Sequence, residues 1–110
     1  NLFVKENNIN AKVETYYKSN SIEKNTLYFF ISDSNLWKVL KESKTKNYTI
    51  GKDIGLLAHN DNAIKEIISG GITTISTDFK KMAKESAKFV KNRDQTRKII
   101  PSKLIQRNSL

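Results

Sequence analysis

The chain contains no cysteine, one histidine, one proline and four glycines among its 110 residues. Without cysteine it cannot form a disulfide, a thiolate nucleophile or a thiolate metal site, and this composition is typical of the reducing cytoplasm. No apolar run approaches the roughly 18 residues that a membrane span requires, and the first six residues lack the apolar core of a signal peptide. These absences favour a cytoplasmic domain without membrane contact.

The length allows one hydrophobic core, because a chain of this size buries roughly two-thirds of its unfolded surface and is too short for a second domain. The chain does not begin with methionine. We therefore expect residues 1–110 to be one structural unit of a longer polypeptide.

The net charge of +9 suggests nucleic-acid binding as one class of function, because clustered lysines and arginines neutralise phosphates. Arginine occurs only at positions 93, 97 and 107, and lysine stands next to glutamate at positions 41–42, 65–66 and 84–85. Mixed signs of this kind indicate solvated helix faces. Direct nucleic-acid binding stays as an alternative, and it predicts an affinity that falls steeply with salt.

Three apolar runs of strand length alternate with three stretches of helical periodicity. Buried strands are predicted at residues 27–31, 54–58 and 72–76, the first of them covered on both faces. Helices are predicted at residues 34–46, 62–69 and 78–92, and Gly70 and Gly71 end the second. This alternation implies right-handed crossovers, so the predicted fold class is α/β, a three-layer parallel sheet with flanking helices.

Weaker signals lie at the two ends of the chain and along the last helix. Residues 2–9 suggest a helical turn, and residues 11–17 alternate like a strand with one exposed face. Residues 99–100 and 104–105 are two strand-like pieces around Pro101.

The middle helix carries Ile64, Ile67 and Ile68 on one face. The inward stripe predicted for the last helix is Phe79, Met82, Ala83, Ser86, Ala87 and Val90.

Polar side chains follow each of the three predicted strands. Because the carboxyl ends of parallel strands meet at one crevice, these side chains are candidates for holding a small polar ligand. The candidate ligand-binding residues are Ser32, Asp33, Asn60, Asp61, Thr77 and, as an apolar wall, Phe79. Helix capping explains Asp33, Asp61 and Asp78 equally well. Asn60 is therefore the strongest single candidate.

The sequence gives little support to an enzyme. His59 is the only histidine and hence the only general base of ordinary neutral pKa, but no nucleophile or second base with a motif accompanies it. No histidine, aspartate or glutamate group has metal-ligand spacing, and the glycines form no phosphate loop. We expect no catalytic residues, no metal and no cofactor, and we expect His59 to be packed or at the rim of a site.

Four sequence blocks carry a resemblance to a known family. They are ISD at 31–33, GKDIGLLAHND at 51–61, GITTISTDF at 71–79 and PSKLIQRNS at 101–109. In this order they resemble the C-terminal half of the effector-binding region of LacI/GalR-type bacterial transcription regulators. That region has the periplasmic-binding-protein type I fold, and similar regions are attached to GntR-type DNA-binding domains.

The resemblance implies that residues 1–110 are the C-terminal lobe of an effector-binding and oligomerisation domain. The other lobe and the DNA-binding domain would lie outside the chain, and a small effector would bind between the lobes. It also implies a homodimer, with Trp37, Ile64 and Ile68 as interface candidates, although core packing explains Trp37 equally well. In such regulators the helix matching residues 78–92 lies on the other lobe.

Departures from the family pattern bear on the effector. Asn60 stands where the family has a carboxylate that binds sugar hydroxyls, Ser32 replaces an amide, and His59 replaces an aromatic residue. The expected effector is therefore a small polar molecule, with a sugar as one candidate. A lobe of an exported solute-binding transport receptor shares the fold and is the alternative.

Overall fold

The computed structural model describes residues 5–93 and 97–110. It confirms the α/β class, with a four-stranded sheet and flanking helices. The strands are β1 (Thr26–Phe30), β2 (Ile54–His59), β3 (Thr73–Thr77) and β4 (Ser102–Ile105). The helices are α1 (Asp33–Thr45), α2 (Ala63–Ile67), which continues into a 3-10 turn at Ile68–Gly70, and α3 (Phe79–Asn92).

The sheet has the order β1-β2-β3-β4 and is parallel through its first three strands. Strand β4 pairs antiparallel with β3, and Thr77 faces Ser102 across that pair. The predicted parallel sheet is confirmed for β1 to β3, and β4 adds an antiparallel edge strand whose direction was not predicted. The physical reason is that the chain leaves β3 and re-enters the sheet at the same edge, after an excursion through α3.

The core lies between α1 and one face of the sheet. Helix α1 forms where apolar residues recur at helical spacing, and Asp33 in its first turn and Lys44 in its last complement the helix dipole. The alternate residues of β2 that face α1 are buried. The buried hydrophobic residues are Ile22, Phe30, Leu36, Val39, Leu40, Ile54, Leu56, Ala58 and Ile72.

The other sheet face is open at β1. Leu27 is 57% exposed and Phe29 51% exposed, so the prediction that this strand is covered on both faces is wrong. In the parallel register these residues lie beside Gly55 and Leu57, on the face that turns away from α1. Strand β1 is also the edge of the sheet, with a neighbour on one side only.

The segment at residues 11–17 is not a strand, contrary to its alternating pattern. It has no neighbouring strand to pair with, and Val13 and Tyr16 are exposed. The Tyr17 hydroxyl instead donates a hydrogen bond to the Glu42 carboxylate on α1. Near the start, the structure has helical residues at Lys5 and Glu6, and residues 1–4 of the predicted opening helix lie outside the described residues. Ile99 and Ile100 are also outside any strand.

Neither α2 nor α3 buries the apolar face predicted from the sequence. In α2 the buried residue is Lys65, which is 1% exposed, whereas Ile64 and Ile67 are 55% and 78% exposed. The α2 prediction was wrong because the ammonium group of Lys65 has acceptors in the interior. Helix α3 has the predicted bounds, and Asp78 caps it by accepting from the backbone of Lys81 at 2.9 Å. However, α3 buries no residue, so its apolar stripe is exposed.

The C-terminal segment, residues 107–110, closes the sheet where β2 and β3 separate. The hydroxyl of Ser109 donates to the Leu56 carbonyl at 2.5 Å and accepts from the Thr73 amide at 2.7 Å. The Leu56 amide in turn donates to the Ser109 carbonyl at 2.8 Å. The backbone passes so close to Gly51 (φ 82°) that a Cβ there would lie 2.1 Å from the Asn108 carbonyl oxygen, which glycine alone avoids.

Candidate ligand-binding site

The carboxyl ends of β1, β2 and β3 lie along one edge of the sheet, which we call the carboxyl edge. Ser32 and Asp33 follow β1, Asn60 and Asp61 follow β2 directly, and Thr77 ends β3. The parallel register therefore brings the predicted polar positions to one side of the molecule.

Asn60 occupies a fixed turn at the end of β2. Its φ of 57° lies in the left-handed region, which asparagine tolerates better than most residues. The Asn60 amide donates to the Ile75 carbonyl at 2.8 Å. The Asn60 and His59 carbonyls both accept from the ammonium group of Lys65, at 2.6 and 2.9 Å. The backbone of the turn is thus held by β3 on one side and by α2 on the other.

Lys65 connects this turn to the end of β1. Its Nζ lies 2.6 Å from Asp33 Oδ1, so the buried ammonium has three oxygen neighbours for its three protons. Asn62 reinforces the link, because its amide nitrogen donates to Asp33 Oδ2 at 3.3 Å and its Oδ1 caps α2 by accepting from the Lys65 amide. The structure therefore brings Asp33 and Asn60 together through Lys65.

Asp61 is held by the C-terminal segment. Arg107 donates to both carboxylate oxygens, at 2.7 and 2.8 Å, in the forked geometry that makes such pairs strong. Hydrogen bonding to Arg107 lowers the pKa of Asp61, against a smaller opposing effect of burial. Arg107 also donates to the Ile72 carbonyl at 2.9 Å, and Thr74 donates to Asp61 at 3.2 Å. The Asp61 carboxylate is thus committed to contacts within the chain.

The other candidates lie further from this network. The Ser32 hydroxyl is 2.8 Å from the Ser34 hydroxyl, at the start of α1 and without a capping hydrogen bond to the helix. Thr77 lies in a groove with Phe89 of α3 and Ile100. Phe79 is half-exposed at the start of α3. Their ligand-binding roles stay predictions.

The Asn60 side chain has an unused hydrogen-bonding atom. Its Oδ1 is buried and has no hydrogen-bond partner, and no other buried side-chain nitrogen or oxygen in residues 5–93 and 97–110 lacks one. A buried polar atom of this kind calls for a functional explanation. His59 precedes it on the face that turns away from α1, partly buried and paired with Ile75 in the β2–β3 register.

Sequence reasoning missed Lys65 and Arg107, the two cations that organise the carboxyl edge. Lys65 stands among lysines and glutamates that are typical of a solvated helix face, so the charge pattern predicted a solvent-exposed side chain. One available signal was its place three residues after Asn62, which puts it in the first turn of α2, directly behind the β2 end. Arg107 stands in the last family block, residues 101–109, and nothing in that block indicates its partner.

The dimer candidates line a second feature, an apolar groove between α1 and α2. Trp37 is partly buried against the core, which fits the packing interpretation. Ile64 is exposed and Ile68 is partly buried at the groove. The structure thus brings the three predicted interface residues to one surface.

Two kinds of feature are absent from residues 5–93 and 97–110. No three histidine, aspartate or glutamate side chains there are grouped so that they could hold a metal ion. None of the helices in that part of the chain is long and apolar enough to cross a membrane.

Comparison with known proteins identifies the family. The model of the periplasmic binding protein-like domain matches residues 5–110. A solved structure, a putative transcription regulation repressor of the LacI family from Corynebacterium glutamicum, superposes with a TM-score of 0.60 at 18% identity. The superposition covers 76% of this chain but only 34% of that repressor, which therefore extends well beyond the shared region. None of the curated protein sequences matches the chain. The predicted resemblance is confirmed, and the chain belongs to the family of periplasmic-binding-protein-like domains.

Proposed function

We propose that the chain is the C-terminal lobe of the effector-binding region of a cytoplasmic bacterial transcription regulator. The family match over residues 5–110 carries this proposal, since it covers nearly the whole chain and its domain is a binding module. The shared fold of a LacI-family repressor supports it further. DNA binding and the second lobe belong to other parts of the intact polypeptide.

In this proposal a small polar effector binds at the carboxyl edge, between this lobe and the second one. Asn60 contacts the effector, because it presents an amide from a turn whose backbone is held by Lys65. Binding at both lobes stabilises the closed arrangement and changes the spacing of the DNA-binding heads. Inverting a 1:99 population requires roughly ten-thousand-fold preference for one state, so both lobes must contribute contacts.

The apolar groove between α1 and α2 is the proposed dimer interface. Ile64 projects from it with more than half of its side chain exposed, and Trp37 lines it from α1. Aromatic and aliphatic anchors of this type dominate the energy of two-fold interfaces. The variant Ile64→Asp would place a charge at this contact and is expected to give monomers in sedimentation equilibrium of the intact protein.

The experiment that tests the function uses the intact polypeptide encoded by the reading frame. Its upstream sequence distinguishes a winged-helix or helix-turn-helix segment, as proposed, from the cleavable leader of an exported solute receptor. The purified protein is then screened by thermal shift against sugars, nucleosides and their derivatives, and any hit is tested for its effect on operator binding.

A pair of matched variants makes the screen specific for the carboxyl edge. Asn60→Gly keeps a left-handed turn but removes the amide, and Asn47→Gly makes the same change at φ 54° after α1. We expect the first to weaken effector binding about tenfold or more, the loss of roughly 1.4 kcal/mol, and the second to leave it unchanged. Equal affinities of the two variants would exclude Asn60 from the effector site.

A further inference from the structure

The charges at the carboxyl edge are already paired within the chain. Asp33 lies 2.6 Å from Lys65, and Asp61 is held at 2.7 and 2.8 Å by Arg107. These two pairs sum to zero charge. Asp78, further along the edge, accepts a hydrogen bond from the Lys81 backbone, and the charges of Lys103 and Lys81 also stabilise its ionised form.

The cations of the two pairs direct their charge to partners within the chain: Lys65 uses all three of its protons, and Arg107 uses three of its five N–H donors. The Lys65 ammonium is 1% exposed and directs its protons to Asp33 and two backbone carbonyls. The Arg107 side chain is 15% exposed and divides its donors between Asp61 and the Ile72 carbonyl. A ligand anion at this edge would therefore lose water without gaining a counter-charge, which is unfavourable.

The carboxylates are equally closed to a ligand cation. Both oxygens of Asp61 accept from Arg107, and both oxygens of Asp33 have partners in Lys65 and Asn62. One buried side-chain atom of the described residues remains without a partner, the neutral Oδ1 of Asn60, which accepts but does not donate. No hydrogen bond holds this oxygen in place, so the amide can turn towards a donor that enters the edge.

We infer that Lys65 and Arg107, by neutralising Asp33 and Asp61, make the carboxyl edge selective for an uncharged ligand that carries hydroxyl or N–H donors. Lys65 is a specificity-determining residue in this view, since it pairs with the Asp33 carboxylate, which would otherwise attract a cationic ligand. The inference rests on the proposed function, and it narrows the ligand from any small polar molecule to a neutral one.

The test uses three small probes on the 110-residue chain: glycerol as a neutral polyol, sulfate as an anion and methylammonium as a cation. Backbone and side-chain amide signals of residues 59–61 are followed by NMR at constant ionic strength. For the unmodified chain we expect saturable shifts with glycerol and none with either ion. Saturable binding of an ion at residues 59–61, or no response to glycerol, would overturn the inference.

Charge variants provide the decisive comparison. Lys65→Met leaves the Asp33 carboxylate without its cation and is expected to show saturable methylammonium shifts at residues 59–61, which the unmodified chain lacks. Lys41→Met removes an exposed lysine of α1 and serves as the matched control. Asp33→Asn is expected to gain sulfate binding by the same reasoning, and Glu23→Gln is its control. Asparagine keeps a side-chain oxygen that can accept from the buried Lys65 ammonium in place of the carboxylate.

Failure of this inference is distinguishable from failure of the proposed function. If both charge variants bind ions no better than their controls, the internal pairs do not set the charge preference of the edge. A charged effector found in the screen of the intact polypeptide would likewise overturn the neutral-ligand assignment and leave the regulator proposal standing. An upstream export leader would overturn the regulator proposal, but it would not contradict the inference that the carboxyl edge selects an uncharged ligand.

Discussion

At the scale of single residues, Ser109 joins two strands of the sheet through one hydroxyl group. It is completely buried, and its hydroxyl takes part in two hydrogen bonds to the backbones of neighbouring strands. Serine fits here because a hydroxyl donates and accepts at once, which lets it serve the Leu56 carbonyl and the Thr73 amide together. A single side chain thus replaces a rung of the sheet between β2 and β3.

Substituting Ser109 by alanine should destabilise the fold by about 1–3 kcal/mol, because the Thr73 amide and the Leu56 carbonyl would lose these partners inside the protein. Urea unfolding at pH 7 measures the difference. Ser102→Ala, at an exposed position of β4, is the matched control and should change the free energy of unfolding by less than about 0.5 kcal/mol. Equal effects of the two substitutions would show that the Ser109 contacts contribute nothing net.

The sequence predicted the polar residues that directly follow a strand. It did not predict the residues whose partners lie far away along the chain. Asp33 and Asn60 were predicted at the carboxyl edge because apolar runs end there, and the structure links them. Lys65 was overlooked because its three acceptors come from two other elements. Arg107 pairs with a carboxylate 46 positions away. Spacing along the chain carries no signal for contacts of that range.

At the scale of elements, α1 anchors the preceding loop through a carboxylate. Glu42 accepts from the Tyr17 hydroxyl, from the Asn20 and Ile22 amides at 2.8 and 3.2 Å, and from Lys46 at 2.9 Å. Burial alone would raise the pKa of Glu42, but these hydrogen bonds outweigh it and lower the pKa to about 2. The loop therefore depends on the charged form of Glu42.

This arrangement predicts how stability responds to acid. A native pKa of about 2 against 4.5 for the free side chain means that the Glu42 contribution is complete above pH 4.5 and disappears as the pH falls towards 2. The contribution is on the order of 3 kcal/mol. Urea unfolding of Glu42→Gln should show a lower stability at pH 6 and a weaker pH dependence between 4.5 and 2. Glu23→Gln, at an exposed position, is the control and should show the same free energy of unfolding as the unmodified chain at each pH. The same result for Glu42→Gln would mean that a different contact anchors the loop.

The elements differ in how well the sequence predicted them. The helices at Asp33–Thr45 and Phe79–Asn92 were predicted within a residue or so, because long periodic segments with capping residues define their own ends. The strand predicted at residues 11–17 is wrong. An alternating pattern indicates that one side of a segment is exposed and the other covered, but it does not show that a neighbouring strand is available for pairing. The direction of β4 was missed for the same reason, since antiparallel pairing depends on where α3 carries the chain.

At the scale of the whole molecule, the chain is more extended than a compact domain of the same length. The radius of gyration is 17.1 Å, and the longest axis spans 54 Å. A compact domain of this length has a radius of gyration of about 13 Å. Helix α3 accounts for part of the difference, because none of its residues is buried while its apolar side chains remain exposed.

The extended shape predicts a scattering result for the isolated chain. Small-angle X-ray scattering of the dilute monomer should give a radius of gyration near 17 Å, and deletion of residues 79–100 with a short glycine-serine linker should lower it towards the compact value. The deletion should leave β2 and α1 folded, since their buried residues pack on one another and not on α3. A value near 13 Å for the unmodified chain would instead mean that α3 folds back onto the open sheet face. In that case Leu27 and Phe29 would be covered in solution, and hydrogen exchange of α3 would be slowed accordingly.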